Sequence, residues 1–212
     1  MRKRDGFTLV EMLVTICILS MLVAMLSPAL KNARDKARQI SCLSNLRGLG
    51  QVFQMYGHDY EESIPSMYDS SNGLLWYDMI SEKGYLKTPV YNNNNQIWTC
   101  PAEPPHDSTR RHGQVSTFPA WVPLTDYAIN SYIAPSDTYL KLTQFRNPSA
   151  IFLLCDANSY FTAYNGGNPY YIDYRHGGGL NFLFLDGHCE WGPKSFIVGD
   201  ADLWKRPPWK DD

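Results

Sequence analysis

The side chains best suited to chemistry lie toward the C-terminal end of this 212-residue chain, where Asp156, Asp173, His176, Asp186 and His188 could gather near one end of a sheet. Imidazole and carboxylate groups supply both metal donors and acid–base pairs. No H-E-x-x-H, no nucleophile elbow and no phosphate-cradling loop accompanies them, so no catalytic residue and no metal ligand is assigned. Their expected roles are structural: His176 fixes the loop Gly177–Gly179 by hydrogen bonds, and Asp186 with Gly187 makes a turn. Four cysteines, Cys42, Cys100, Cys155 and Cys189, lie in the same two-thirds of the chain, while Cys17 sits in an apolar run. Without a C-x-x-C pair, neither a zinc ribbon nor a thioredoxin-like centre has the spacing it needs. Three readings stay open for these four. Cys155 and Cys189 bridge if their strands are neighbours, Cys42 and Cys100 bridge a helix to the domain, or all four are buried free thiols.

One further ionisable group stands out at the other end. Residues 7–26 are almost wholly apolar, and Glu11 interrupts them. Twenty residues at ~1.5 Å each make a helix of roughly 30 Å, about the hydrocarbon thickness of a bilayer. The apolar residues surround the helix instead of forming one stripe, which argues against a core helix of a soluble domain. A carboxylate inside such a segment is costly and by default functional. A cut after Gly6 would create an amine at Phe7, and that amine could pair with Glu11 in its own chain or in a neighbour. A secretory signal peptide is disfavoured, because Ser27-Pro28-Ala29 is a poorly placed cleavage pattern and the helical pattern continues past it.

The elements that position these groups follow from periodicity. After Pro28 the run becomes amphipathic, with Leu30, Ala33, Ala37, Ile40, Leu43, Leu46, Leu49, Phe53 and Tyr56 at helical spacing. One helix over 7–57 results, with Pro28, Gly48 and Gly50 as sites of bending and Gly57 as its stop. Residues 58–212 form one domain, rich in turns. Residues 60–90 read as loop with short elements, the Asn-rich run 91–96 as a surface loop, and 110–123 as irregular chain. Cys100 follows the strand-like segment Ile97-Trp98-Thr99. Buried strands are expected at 149–156 and 180–185, the second turning through Asp186-Gly187 into His188-Cys189-Glu190-Trp191. In that hairpin, spanning 176–191 with its glycine loop, Leu185 is expected opposite His188 and Phe184 opposite Cys189.

Lys3-Arg4-Asp5-Gly6 followed by Phe7-Thr8-Leu9-Val10-Glu11 resembles the cleavage and methylation motif of type IV prepilins and type II secretion pseudopilins. The spacing from His176 to Asp186-Gly187 resembles the H-X9-DG region of a subgroup of prepilin-like proteins. The resemblance implies a pilin-like α+β fold, a long N-terminal helix packed on a small antiparallel sheet domain with long loops. It also implies that residues 1–6 are a leader removed by a prepilin peptidase, that Phe7 is then methylated, and that Glu11 supports docking onto a filament. Pro28 occupies the place of the family's helix-perturbing proline. The implied partners are the peptidase, other pilin or pseudopilin subunits, an inner-membrane assembly platform, and membrane lipid before assembly. The implied location is the bacterial inner membrane, single-pass with the N-terminus cytoplasmic, and then a periplasmic or extracellular filament. No cofactor is required, although related pseudopilins hold calcium through Asp and carbonyl oxygens in a C-terminal loop.

Composition sets the remaining bounds. A net charge of -2 offers no concentrated basic surface for nucleic acid. The function read from the sequence is a structural subunit of a type II secretion pseudopilus or type IV pilus-like filament, not an enzyme. The alternative is a single-pass anchored extracytoplasmic binding protein that is never assembled.

Overall fold

In the computed structural model, the described residues are 8–87, 97–102, 125–157, 159, 161–165 and 168–199. Gly6, Phe7, the Asn-rich run 91–96 and the segment 110–123 lie outside them. The first element, α1, spans Leu9–Asp59. It starts at Thr8, whose hydroxyl accepts the Glu11 N–H (3.3 Å) while the Glu11 carboxylate accepts the Thr8 N–H (2.9 Å) and hydroxyl (2.7 Å). This reciprocal capping box satisfies N–H groups that the first turn leaves without helical partners. Pro28 lies inside α1, which continues on both sides of it; lacking an N–H, it cannot bond the Ala24 carbonyl.

The chain divides into two compact units, residues 1–37 and 38–212. Within the first, Leu9 through Leu30 expose their large apolar side chains along α1. Within the second, α1 buries Gln39, Cys42, Leu46, Leu49, Phe53 and Tyr56. Leu46, Leu49, Phe53 and Tyr56 are buried as their spacing predicts, and the stripe departs from the expected one at its start, where Ile40 is 65 % exposed and Cys42 is fully buried. Gly48 and Gly50 allow close approach of other residues to α1. A Cβ at Gly50 would sit 2.8 Å from Leu183 Cδ1, and one at Gly48 would sit 2.9 Å from Ile97 Cδ1. Nor does Gly57 stop the helix. The end comes two residues later, where Glu61 takes φ 53° and the Glu62 N–H returns to the Gly57 carbonyl at 2.7 Å, a Schellman closure with glutamate in the place glycine usually takes.

Beyond α1, a short hairpin of β1 (Tyr68–Asp69) and β2 (Leu74–Leu75) leads into α2 (Trp76–Glu82). Here Trp76 packs on Phe53 and Trp98 at 5.7 and 5.8 Å between ring centroids. Residues 97–100 form a turn, not the strand expected, with the Trp98 indole donating to the Lys87 carbonyl at 2.9 Å. The main sheet contains β3 (Tyr127–Asn130), β4 (Phe152–Asp156), β5 (Phe161–Asn165), β6 (Asn168–Tyr170), β7 (Gly179–Phe184) and β8 (Cys189–Pro193). Its order is β6-β5-β3-β4-β7-β8. The β3–β5 pair is parallel and the others antiparallel, so the sheet is mixed where an antiparallel one was expected. A short helix, α3 (Lys194–Gly199), follows β8.

The sheet is apolar on both faces. Leu154 and Leu183 join the α1 residues in the larger core, while Cys155, Phe182 and Phe184 join a second cluster with Phe196 of α3. A bulge between Phe152 and Leu154 puts Leu153 and Leu154 in the same core, because the extra residue of a bulge breaks strict alternation. Burial on two faces explains why β4 and β7 read as continuous apolar runs.

The hairpin of β7 and β8 is one residue out of its expected register. Leu183 opposes Cys189, and the Phe184 N–H bonds the His188 carbonyl. Leu185, Asp186 and Gly187 therefore form a three-residue loop. The Gly187 N–H bonds the Phe184 carbonyl at 2.9 Å with Gly187 at φ 91°, which is a turn closed by a glycine bulge.

Candidate functional site

Two sites follow from these elements, one in each unit. The first is the start of α1. Leu9, Val10, Met12, Leu13, Val14, Ile16, and onward to Leu26 are all exposed, and α1 holds a stretch long and apolar enough to cross a bilayer by length and composition. An apolar surface of this extent is stable only in lipid or against other helices. Glu11 stands at its beginning, held by Thr8. The sequence reading missed that Thr8-x-x-Glu11 is itself a cap signature. The partner proposed for Glu11, an amine on Phe7, lies outside the described residues.

The second site is buried at one end of β7. His176 forms an isolated bridge with Gly179 just before the strand, and Asp186-Gly187 turn the chain at its other end. The nine residues between His176 and Asp186 therefore measure out one strand, six residues or roughly 20 Å. The two halves of the motif do different work. Asp186 accepts the His188 N–H at 3.0 Å and lies 2.5 Å from His188 Nδ1, so it holds the turn, as expected.

The His176 backbone closes the glycine loop, exchanging hydrogen bonds with Gly179 at 3.1 and 3.2 Å, and its side chain meets residues from three other elements. Its Nε2 lies 3.4 Å from Asp156 Oδ2 at the end of β4 and 3.3 Å from Cys100 Sγ in the turn after Trp98. Cys42 of α1 completes the group, donating its thiol to Asp156 Oδ1 at 3.0 Å and contacting the Tyr127 hydroxyl at 3.2 Å. All four residues are buried. Asp156 Oδ2 also accepts the Asn181 N–H at 2.7 Å, and the indole of Trp191 donates to the His176 carbonyl at 2.8 Å. Beside them, Arg175 donates to the Ala157 carbonyl at 2.8 Å and lies 3.1 Å from Asp173 and 3.5 Å from Asp126. Asp126 in turn accepts the Cys100 N–H at 2.6 Å.

Electrostatics differ sharply across this group. Burial, then the neighbouring Cys100 and Asp156, push the Cys42 thiol far up. Cys42, followed by His176 against the effect of burial, draws Cys100 down to about 6. Burial would lower His176, but its bonds to Asp156 and Cys100 raise it to about 9. A thiolate beside an imidazolium is a nucleophile in an open cleft. Here the imidazole is 1 % exposed and the Asp156 side chain 0 %, so no substrate reaches it. Holding elements together, or a small cation, is the chemistry left.

Of the residues expected to do chemistry, Cys42, Cys100, Asp156 and His176 converge, with Asp173 linked through Arg175. Cys155 and Cys189 do not. Cys155 opposes Phe182 on β7 and Cys189 opposes Leu183, and alternation turns these neighbours to opposite faces. With β7 also between their strands, the two are not bridged, and all five cysteines are unbridged in this structure. The carboxylates considered for calcium are likewise apart, Asp173 on Arg175 and Asp186 at the far end of β7. Asp126, Tyr127 and Arg175 were missed, since nothing local marks a residue that serves a partner distant in sequence.

A capped apolar helix followed by a small mixed-sheet domain is consistent with a pilin-like α+β fold. Residues 1–27 match the prokaryotic N-terminal methylation motif. The type IV wide pilus major component PilA4 of Thermus thermophilus is similar to it, 26% identical over 131 residues that cover 48% of this chain and 100% of that protein. No solved structure matches the chain.

Proposed function

We propose that the chain is a filament subunit, not an enzyme, stored in the bacterial inner membrane through the apolar part of α1. Its N-terminus faces the cytoplasm and its domain lies outside. A prepilin peptidase cuts the Gly6–Phe7 bond and methylates the new amine of Phe7. The assembly platform then moves the subunit from lipid into contact with its neighbours. The single observation that carries this reading is the apolar surface of α1 from Leu9 to Leu26, exposed throughout and interrupted only by a few polar groups. The methylation motif at residues 1–27 and the similarity to a protein named as a pilus component support it. Both a type IV pilus and a type II secretion pseudopilus fit the motif.

Cleavage changes what Glu11 has to do. In the uncut chain the Thr8 cap occupies its carboxylate. After the cut a methylated ammonium at Phe7 competes for it, in the same chain or from the subunit below, and a low-dielectric setting strengthens that pairing. Glu11 therefore sets register between subunits. Replacing Glu11 by Ala is expected to leave the chain in the membrane fraction and remove it from sheared filaments. Normal incorporation of Glu11→Ala into filaments would refute the charge-pairing role, and retention of the wild-type chain in the membrane alone would favour an anchored binding protein.

A further inference from the structure

We propose that Cys42, Cys100, Asp156 and His176 form a structural zinc site that fastens α1 to the sheet. The four donor atoms lie within 4.8 Å of one another, and all four residues are buried. A tetrahedral zinc with sulfur at about 2.3 Å and nitrogen or oxygen at about 2.0–2.2 Å requires donor–donor edges of about 3.3–3.8 Å. The separations Cys100 Sγ to His176 Nε2 and His176 Nε2 to Asp156 Oδ2 are 3.3 and 3.4 Å, within that range, and Cys42 Sγ lies 3.0 Å from the other Asp156 oxygen, Oδ1. Small shifts of side chains therefore create the site. Two thiolates and an imidazole select zinc over calcium or magnesium, which prefer oxygen.

The surroundings have the form of an outer ligand shell. The Ala102 N–H bonds the Cys100 sulfur, the Tyr127 hydroxyl meets the Cys42 sulfur, and the Asn181 N–H holds Asp156 Oδ2. Outer partners of this kind orient ligands and tune the metal. Each thiol that ligates gives up its proton and His176 ligates as neutral imidazole, so metal entry releases protons to solvent.

A Cys42–Cys100 disulfide is the competing use of the same residues. It would consume the thiol that donates to Asp156 and the sulfur that His176 contacts, leaving a buried carboxylate and imidazole with fewer partners. A metal satisfies all four at once.

Full-length chain purified in detergent, without chelator or metal-affinity resin, tests the proposal by elemental analysis. One zinc per chain is expected, and replacing it with cobalt should produce the intense visible bands of a tetrahedral thiolate site. Cys100→Ser is expected to lose the metal, while Cys155→Ser, on the other face of the sheet, keeps it. Wild-type chain with a native circular dichroism spectrum that contains no zinc and gives no cobalt bands overturns the proposal. So does a Cys42–Cys100 disulfide peptide in a non-reducing map. Both readouts use wild-type protein and stand even if Cys100→Ser fails to fold.

Discussion

Replacing Arg175 by Met isolates the buried charge beside His176. The guanidinium side chain is 5 % exposed and its partner Asp126 2 %, at 3.5 Å, with a second carboxylate, Asp173, at 3.1 Å and 32 % exposed. Methionine keeps most of the aliphatic stem but removes the charge and the bond to the Ala157 carbonyl. Asp126, buried and accepting the Cys100 N–H, then loses the guanidinium beside it. Breaking a buried ion pair in this way costs about 3–5 kcal/mol. For a domain of this size about 2–4 °C of melting temperature accompanies each kcal/mol, so a fall of roughly 6–20 °C is expected. Near-ultraviolet circular dichroism on the purified chain reads it, because Trp76 and Trp98 are both fully buried. Adding Asp126→Asn to Arg175→Met removes the buried carboxylate charge as well and should recover about half of the loss. The reasoning fails if Arg175→Met alone melts within about 2 °C of the parent, or if Asp126→Asn lowers stability further by its full independent amount.

Two glycines on the packing path of β7 should separate cleanly. A Cβ at Gly179 would collide with the Gly192 carbonyl oxygen and lie 2.6 Å from the Trp191 ring, whereas one at Gly50 meets only the side-chain end of Leu183. Gly179→Ala is expected to destabilise by about 3 kcal/mol, and Gly50→Ala by about 0–2 kcal/mol after a helix-propensity gain of about 1; equal denaturation midpoints would contradict the close approach of β7 and β8. Non-reducing peptide mapping should show Cys155 and Cys189 unlinked to each other, and a Cys155–Cys189 peptide would mean that the order of β4, β7 and β8 is wrong.

What the sequence revealed was local. A period of three to four residues located α1, and two-sided apolar runs located β4 and β7, because those patterns arise within a single element. Errors came where a neighbour decides. Cys42 displaced Ile40 from the buried stripe because the sheet, not the helix, determines which face is covered. The hairpin register slipped because a three-residue loop and a two-residue one share the same Asp-Gly signal. Residues 42, 100, 126, 156, 175 and 176 meet through the tertiary fold, so no spacing announces their convergence. At the other end the reverse holds: the methylation motif within residues 1–27 is legible because a processing motif is read in extended order, while the Thr8 cap that holds Glu11 is hidden beneath the stronger membrane signal.

The most direct test of the filament account is the mass spectrum of the N-terminal peptide from chain recovered in sheared filaments. The account requires a peptide beginning at Phe7 with one added methyl group and no trace of residues 1–6. A chain that still begins at Met1 or Arg2, or an unmethylated start at any residue beyond Phe7, would contradict it.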